Sequence, residues 1–267
     1  MSKIFDCFTF FDENFLVNSR FEILNDVVDY FVIVESIYDH QGKKKKINFK
    51  LHNHKYKSKI RHIIHDSKNL QSIKGWEAER LQREKLFEGI TDADDEDIIL
   101  FSDSDEIPNP ELLKNFILNK KFAIFMQKFF VYKLNIYNEH ETPWEGTRAC
   151  KKKNLKSFYH LRKKIIKKNL LKPFWKFYLE KNIEILENGG WHFNNLYSVE
   201  TISKKLKAAP HQEFNSDKFS SEKAIKDNIS NLKDLYGRNH KYKKIIIDDS
   251  YPRFFLDNYD KLKDYIL

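Results

Sequence analysis

The beginning of the chain alternates between buried-strand and amphipathic-helix patterns, and this order constrains the fold more than any other feature of the sequence. Residues 4–11 are apolar and aromatic with one acid, as in a buried strand. Apolar side chains then recur at helical spacing up to Val27, with Asp12 as the predicted N-cap. Residues 30–34 form a continuous β-branched and aromatic run, which is typical of a strand inside a parallel sheet. Strand, helix and strand in this order predict a right-handed βαβ unit.

The rest of the chain continues the alternation and predicts one α/β domain. Residues 98–101 predict another buried strand, and Asn109 followed by Pro110 predicts the start of a helix. Further strands are expected at residues 122–126, 129–137 and 245–247, helices at 198–206, 221–236 and 258–266, and a turn at 189–193. Residues 151–185 show no clear periodicity. Because no repeat or linker interrupts the chain, we expect a single domain over residues 1–267 with a helical C-terminal extension.

The composition is that of a folded protein. Of the 267 residues, 41% are hydrophobic and 15% aromatic, which supplies a large core and excludes intrinsic disorder. Two cysteines exclude a disulfide framework. No apolar run approaches the roughly 20 residues of a membrane span, and the N-terminus lacks the pattern of a signal peptide. We therefore expect a cytoplasmic protein.

The charge balance is basic, with a formal net charge of +9. The excess comes in runs of lysine and arginine at residues 43–46, 151–153 and 162–168. Such runs suggest an anionic partner, which could be nucleic acid, a membrane surface or a phosphorylated substrate. A solvated lysine-rich surface is the alternative interpretation.

The sharpest candidate site is the acidic turn Asp103-Ser104-Asp105-Glu106, which follows the predicted strand at residues 98–101. Ligands of open α/β sheets bind outside the carboxyl ends of the strands. Two carboxylates two residues apart can converge on one divalent cation, which commonly bridges to a phosphate. A cation would also offset the cost of placing these like charges together. The alternative is a capped acidic turn before the helix at Pro110.

Three other segments could contribute to a site. Glu35 ends the strand at residues 30–34 and could accept hydrogen bonds from a nucleobase or ribose, or be an exposed loop acid. Residues 189–192 combine two glycines with Trp191, on which a sugar ring could stack, and His192, which could bind a metal or phosphate. A tight turn with a core tryptophan is the alternative. In residues 211–214, Glu213 lies near His211 and could be a general base.

Several kinds of site are not supported by the sequence. It contains neither the G-x-G-x-x-G nor the G-x-x-x-x-G-K-[ST] motif of glycine-rich nucleotide-binding loops. No Cys/His spacing fits zinc, and no G-x-S-x-G motif indicates an acyl-transfer nucleophile.

Taken in order, the conspicuous segments resemble glycosyltransferase family 17, the family of the bisecting β-1,4-mannosyl-glycoprotein N-acetylglucosaminyltransferase. The matching segments are residues 6–13, 28–35, 75–76 with Arg83, 103–108, 190–192, 205–206 and 258–260. Each segment alone is weak, but the ordered set runs nearly from end to end of the chain. The animal members carry an N-terminal membrane anchor that this sequence lacks, so we expect a cytoplasmic enzyme of bacterial or viral context.

The resemblance implies a fold of GT-A type, which is one Rossmann-like domain with a mixed, mostly parallel central sheet. Residues 1–120 would form the nucleotide-sugar-binding half and residues 121–267 the acceptor-side half. The implied reaction is inverting transfer of a sugar from a nucleotide sugar to a hydroxyl of a glycan or glycoconjugate. The best-known donor of the family is UDP-N-acetylglucosamine.

The resemblance also implies roles for individual residues. Asp103 and Asp105 would hold a divalent ion, Mn²⁺ in the first instance and Mg²⁺ as the alternative, that bridges the donor diphosphate. Glu35 would face the nucleoside, and Arg83 could reach the diphosphate. The residues expected to line the donor–acceptor junction are Trp191 and His192. His211, which is not part of the pattern of the animal enzymes, is a further donor-binding candidate from the sequence.

Inverting transfer needs a base that takes the proton from the acceptor hydroxyl. Glu213 is the predicted base because it follows the Gly-Trp-His segment, and Glu106 is the alternative, which could instead brace the turn at Asp103. A basic nucleic-acid-binding protein, or a metal-dependent nucleotidyl or phosphoryl enzyme, is the rival function. The basic stretch at residues 151–181 could also contact a membrane surface.

Overall fold

The computed structural model describes residues 2–67, 70–208 and 216–267, and its N-terminal part is a parallel sheet. The strands of this part are β1 (Ile4–Phe10), β2 (Tyr30–Ser36), β3 (Ile60–His65) and β4 (Ile98–Asp103). They lie in the order β3–β2–β1–β4, and every neighbouring pair is parallel. Helix α1 (Asn14–Leu24) connects β1 to β2, and helix α2 (Gly75–Glu84) lies between β3 and β4 in the chain. The predicted βαβ unit is confirmed.

The second part of the sheet is mixed. Its strands are β5 (Glu106–Pro108), β6 (Phe122–Val131), β7 (Ile136–Tyr137), β8 (Trp144–Lys151), β9 (Ile183–Leu186), β10 (Gly190–Asn194) and β11 (Lys243–Lys244). Strand β8 lies between β4 and β6 and is antiparallel to both. Strand β10 is parallel to β6 and antiparallel to β5. The described strands therefore belong to one continuous sheet.

The remaining helices are short and lie mostly in the C-terminal part. They are α3 (Pro110–Leu113), α4 (Phe158–Lys163), α5 (Val199–Ala208), α6 (Asp217–Ser220), α7 (Glu222–Ser230) and α8 (Arg253–Asp257). The start of α3 agrees with the prediction, because the Asn109 side chain accepts a hydrogen bond from the Glu111 backbone amide and Pro110 is the first helical residue.

The core lies on both faces of the sheet, as the alternation along β1 requires. Ile4, Phe8 and Phe10 point to the face that α1 covers, whereas Phe5 and Cys7 point to the opposite face. A third apolar cluster forms where the end of β6 meets α5 and α7. Most of the aromatic side chains are thus buried in these clusters or packed against them.

One fully buried ion pair ties α1 to the sheet. Arg20 Nε and Nη2 each lie 2.5 Å from a carboxylate oxygen of Asp6, and the guanidinium lies over the Phe8 ring. The same guanidinium donates to the Glu106 carbonyl oxygen and to Ser102 Oγ. Arg20 therefore connects α1 to β1, β4 and β5. In the helical periodicity of the sequence it falls on the same side as the apolar residues.

Several local expectations are wrong because pairing within the sheet prevails over the local pattern. The sequence predicts a turn at residues 189–193. Residues 190–193 lie instead in strand β10, because β5 and β6 pair with this segment. Residues 122–131 form one strand rather than two. Residues 245–247 are not in a strand, and the short strand that pairs with β7 is Lys243–Lys244.

The helix ends also differ from the expectations. Helix α1 begins at Asn14 after Glu13, not at an Asp12 cap, and the Glu13 carboxylate accepts hydrogen bonds from the Phe11 and Asp12 amides. Helix α7 ends at Ser230, well before the expected end at residue 236. The last segment, Tyr259–Tyr265, is a 3-10 helix.

The α/β fold class is confirmed, with a Rossmann-like parallel part, a mixed sheet and a largely helical C-terminal extension, as in a GT-A type domain. In the described ranges, none of the helices combines the length and the apolar character that crossing a membrane requires.

Candidate active site

The carboxyl ends of β1, β2 and β4 meet at one edge of the sheet and border a cavity of about 300 Å³. The ends of the parallel strands and the residues that follow them line this cavity with residues 9–11, 36, 38–40 and 103–105. Lys45, His192 and Lys205 line it from other parts of the chain. Because ligands of open α/β sheets bind at this edge, we call this space the strand-end cavity and take it as the candidate active site.

Asp103 lies between two arginines. Its Oδ1 lies 3.2 Å from Arg83 Nη2, and its Oδ2 lies 2.6 Å from Arg162 Nη2. Burial opposes ionisation of this carboxyl group, but the positive charges of Arg162 and Arg83 prevail and hold its pKa well below the ordinary value. Asp103 is therefore an anion whose two oxygens already receive guanidinium donors.

Asp105 faces the strand-end cavity with different partners. His192 Nε2 lies 3.5 Å from its Oδ1, and Lys205 Nζ lies 4.0 Å from its Oδ2. Burial raises the pKa of Asp105, but His192 and Lys205 outweigh it and leave the pKa lowered. Burial lowers the pKa of Lys205, but Glu13 and Asp105 raise it above the ordinary value. The cavity therefore holds a carboxylate and an ammonium group side by side.

Glu106 is fully buried beneath this turn and does not line the cavity. Its Oε1 accepts hydrogen bonds from Trp144 Nε1 at 2.7 Å and from Arg162 Nη2 at 2.6 Å. Its Oε2 accepts from the Asp103 backbone amide and from Arg162 Nη1, both at 3.0 Å. These contacts place Glu106 where it braces the turn at Asp103, which is the second role that the sequence suggests for it.

The two arginines reach Asp103 from different helices. Arg83 comes from α2, where Nη2 also lies 2.9 Å from Glu79 Oε1, and its Nε and Nη1 are buried with no hydrogen-bond partner among the described residues. Arg162 comes from α4, whose first turn the Ser157 side chain caps. The sequence alone does not indicate this role for Arg162, because Arg162 stands in a basic run that is typical of a solvated surface.

Glu35 is buried in β2 and holds a neighbouring loop. Its Oε1 lies 2.7 Å from Lys45 Nζ and 2.6 Å from the Asn48 backbone nitrogen, and its Oε2 accepts from the Phe49 amide at 3.1 Å. Burial raises the pKa of Glu35, but the hydrogen bonds from His62, Lys45 and Asn48 leave it lowered. Glu35 is outside the cavity lining, whereas its partner Lys45 is part of it.

Trp191 and His192 point to opposite faces of β10, as successive strand residues must. Trp191 is buried in the core, and its Nε1 donates to the Ser250 carbonyl oxygen at 3.0 Å. His192 lines the strand-end cavity and packs against the Phe129 and Trp144 rings, with centroid distances of 4.3 Å and 5.1 Å. Of the two residues that the sequence placed at the junction, the structure brings only His192 to the cavity.

The position of His192 depends on the close approach of β10 to β5. Gly190 has a φ of +125°, and a Cβ on it would lie 2.2 Å from the Ile107 carbonyl oxygen. Only glycine fits this approach without a shift of the backbone. The resulting register pairs His192 with Glu106, next to the turn that carries Asp105.

A second cavity, of about 320 Å³, shares His192 and Asn194 with the strand-end cavity. We call it the aromatic cavity, and its other lining residues are Phe129, Glu141, Trp144, Tyr236 and Arg238. Arg238 is held by Glu141 and by Asp234, whose Oδ1 lies 2.8 Å from Nη2. Aromatic faces beside fixed polar groups suit a sugar ring, so the two adjoining cavities can hold two different parts of a reaction.

The strand-end cavity offers part of a ligand set for a divalent metal ion. Asp105 offers carboxylate oxygens, which are ordinary ligands of Mn²⁺ and Mg²⁺. His192 offers Nε2 beside them, a nitrogen ligand that suits transition metals better than Mg²⁺. Asp103 fits less well, since both of its oxygens face guanidinium groups. Within residues 2–67, 70–208 and 216–267, no group of three or more His, Cys, Asp or Glu side chains is arranged to hold a metal. The protein thus offers a partial ligand set that substrate phosphates could complete.

The predicted base lies outside the part of the chain that the structure describes. Both Glu213 and His211 fall between residues 208 and 216. Helix α5, which carries Lys205 to the cavity, ends immediately before this segment.

Comparisons with known proteins identify a family. The model of glycosyltransferase family 17 matches residues 1–250. No curated protein matches the chain.

Solved structures show only a distant likeness. The glucosyl-3-phosphoglycerate synthase from Mycobacterium tuberculosis, in complex with Mn²⁺ and UDP-glucose, is 14% identical, with 72% of this chain and 70% of that chain covered and a TM-score of 0.34. A 4-diphosphocytidyl-2C-methyl-D-erythritol synthase is 12% identical, with 71% and 89% covered and a TM-score of 0.35. At these scores the likeness supports no further conclusion.

Proposed function

Since the chain belongs to glycosyltransferase family 17 and is therefore a sugar-transferring enzyme, we propose that it transfers N-acetylglucosamine from UDP-N-acetylglucosamine. The acceptor is a hydroxyl group of a glycan or glycoconjugate, and the configuration of the anomeric carbon is inverted. The observation that carries the proposal is the strand-end cavity, where Asp105, His192 and Lys205 stand together at the carboxyl ends of the parallel strands.

The donor diphosphate would lie in the strand-end cavity. Lys45 and Lys205 both line it and offer positive charge to phosphate oxygens. Asp105 and His192 would hold a divalent ion, Mn²⁺ or Mg²⁺, which offsets the negative charge that grows on the departing UDP. Asp103, fixed by its arginines, keeps the turn that presents Asp105 in place.

The remaining predicted roles are part of the proposal. Glu35 acts on the donor through Lys45, which it holds at the cavity. Arg83 is buried outside the cavity lining, so it acts on the diphosphate site through Asp103, which it holds. Trp191 supports β10 from the core side. A donor-side role for His211 is retained as proposed from the sequence.

The acceptor would occupy the aromatic cavity. Trp144 and Tyr236 line it, and rings of this kind stack on the apolar face of a sugar. His192 and Asn194 border both cavities, so an acceptor hydroxyl placed here would lie next to the anomeric carbon of the donor. Residues 1–120 would then supply most of the donor side and residues 121–267 the acceptor side.

Transfer with inversion needs a base for the acceptor hydroxyl. Glu106 accepts hydrogen bonds at both oxygens and lies outside the cavity lining, which favours Glu213, the base predicted from the sequence. Glu213 follows helix α5, whose Lys205 reaches the cavity, and this order of the chain suits a role beside the acceptor.

The test is release of UDP from UDP-N-acetylglucosamine with Mn²⁺ or Mg²⁺, measured with and without glycan acceptors and beside other UDP-sugars. We expect hydrolysis or transfer that a chelator abolishes and that Asp105→Asn lowers by about a hundredfold or more. Asp260→Asn, at an exposed C-terminal position, is the matched control and should retain full activity. Failure of every nucleotide sugar to bind, or an unchanged rate in Asp105→Asn, would overturn the proposal.

A further inference from the structure

The segment after α4 exposes an unusual set of aromatic side chains. Phe174, Trp175, Phe177 and Tyr178 have exposed fractions between 62% and 84%, and Leu171 is 82% exposed. We call residues 170–178 the aromatic loop. Large apolar side chains are normally exposed singly on soluble proteins, so a contiguous group of this kind marks a surface that binds something apolar.

The aromatic loop is folded, because its backbone is tied to the rest of the protein. Lys181 Nζ lies 2.8 Å from the Lys172 carbonyl oxygen and also reaches the Pro173 carbonyl. The Lys176 amide donates back to the Pro173 carbonyl at 3.1 Å. The Phe174 and Trp175 rings touch edge to face, with centroids 5.2 Å apart. The backbone thus turns inward, and the aromatic side chains remain in solvent.

The surroundings of the loop are strongly basic. From residue 163 to residue 181 the chain contains seven lysines, and Glu180 is the single acid among them. Glu180 is itself paired with Lys121, at 3.3 Å. Lysines that flank exposed aromatic and leucine side chains are typical of a segment at the boundary between lipid headgroups and acyl chains.

We propose that the aromatic loop docks on an anionic lipid bilayer, with its aromatic and leucine side chains in the headgroup boundary and the flanking lysines on anionic headgroups. Aliphatic side chains such as Leu170 and Leu171 gain from a lipid environment but offer no stacking face to a nucleobase, which favours lipid over single-stranded nucleic acid. Each lysine near an anionic surface strengthens the attraction, so the lysines and the apolar side chains together suffice for reversible binding.

The docking surface is continuous with the helix that completes the active site. Helix α4 carries Arg162, which holds Asp103, and its last residue, Lys163, places Nζ 4.8 Å from the centroid of the half-exposed Trp76 ring. Trp76 lies on α2, which also carries Arg83. The helix that precedes the aromatic loop in the chain therefore contacts both Asp103 and α2.

Co-sedimentation of the full chain with vesicles tests this proposal without any assay of sugar transfer, so its failure is distinct from failure of the proposed function. The vesicles contain phosphatidylcholine alone or with about one third phosphatidylglycerol. We expect binding to the anionic vesicles that exceeds binding to neutral ones by about tenfold or more and that weakens with salt. Equal partitioning into both vesicle types would overturn the proposal.

Two matched pairs of variants separate the contributions. Trp175→Ala with Phe177→Ala should lower anionic-vesicle binding about tenfold or more, whereas Ile117→Ala with Ile246→Ala, also exposed, should not. Lys172→Glu with Lys176→Glu should have a similar effect, and Lys261→Glu with Lys263→Glu should leave binding unchanged. Unaltered vesicle binding in the aromatic variant would contradict the proposal.

Two further measurements identify other occupants of the surface. Loss of self-association in the aromatic variant, seen by light scattering with vesicle binding unchanged, would assign the loop to a second copy of the chain. Salt-sensitive binding of a single-stranded RNA oligonucleotide that requires Trp175 and Phe177, without vesicle binding, would assign it to nucleic acid. Either result would replace the bilayer as the partner.

Discussion

Arg162 Nη2 lies 2.6 Å from Asp103 Oδ2, although 59 residues separate the two in the chain. The same guanidinium also holds both oxygens of Glu106. A basic residue from helix α4 thus fixes the acidic turn at the end of β4. The geometry of the strand-end cavity depends on this contact between distant parts of the sequence.

Replacement of Arg162 by lysine tests this dependence. Lysine keeps the charge but cannot donate in the planar forked geometry that serves Asp103 and Glu106 together. Loss of a charged hydrogen bond costs about 1.5–3 kcal/mol, so we expect kcat for sugar transfer to fall roughly tenfold to a hundredfold. Arg80→Lys, in an exposed pair with Glu77, should change kcat by less than about twofold. Equal rates in wild type and Arg162→Lys would show that the contact is dispensable.

The opposite orientations of Trp191 and His192 predict opposite effects of mutation. His192→Ala should lower kcat/KM about a hundredfold, because its side chain lines the cavity, with a smaller loss of stability than a truncation of Trp191. Trp191→Leu should lower the free energy of unfolding by about 2–4 kcal/mol through lost core packing, with KM and kcat of the folded enzyme nearly unchanged. Kinetics and urea unfolding of both variants check this. A donor KM that rises in Trp191→Leu would restore the role in sugar stacking.

Gly190→Ala should be strongly destabilising. A Cβ at this position meets the Ile107 carbonyl oxygen, and its φ of +125° is unfavourable for any other residue, so we expect a loss of about 2–5 kcal/mol. Gly75 also has a positive φ, +62°, but a Cβ there meets nothing within 4 Å. Gly75→Ala should therefore cost only about 1 kcal/mol. Similar losses in the two variants, measured by chemical denaturation, would argue against a tight contact between β10 and β5.

The stability contributed by Glu35 should depend on pH. Its pKa is lowered in the folded protein, so its contribution is fully present above the ordinary value of 4.5 and is lost as the pH falls through the lower folded pKa. Glu35→Gln should therefore cost about 1–3 kcal/mol near pH 7, with a difference from wild type that shrinks below about pH 4.5.

Urea unfolding of Glu35→Gln and wild type over this pH range gives the measurement. Glu111→Gln, in an exposed pair with Lys114, is the control and should change the free energy of unfolding by less than about 0.5 kcal/mol at every pH. A cost for Glu35→Gln that stays constant down to about pH 3 would contradict the assignment of a lowered pKa.

The elements that the sequence predicts well are those determined by local pattern. Strands β1, β2 and β4 coincide with continuous apolar runs, because a strand buried on both faces has few polar positions. The acidic turn at Asp103 was found for the same reason, since it directly follows such a run. Lys45 and Glu35 are ten residues apart, and nothing in the local pattern shows that a loop brings them together.

The elements that the sequence predicts poorly are determined by pairing over long distances. The sequence around Arg162 is typical of a solvated lysine-rich surface, but α4 places Arg162 against Asp103. Arg20 occupies a helical position among apolar residues and reveals its role only through Asp6. The two glycines before Trp191 indicate a turn, yet β5 and β6 draw this segment into the sheet. In each case the deciding partner is far along the chain.

The position of β8 between β4 and β6 has a consequence for how the chain is made. During synthesis β4 emerges before residues 144–151 exist, so its backbone donors and acceptors along residues 98–101 have no partner on that side. An unpaired apolar edge of this kind invites association with other chains. The N-terminal parallel part therefore keeps an open sheet edge until residues 144–151 are made and β8 closes it.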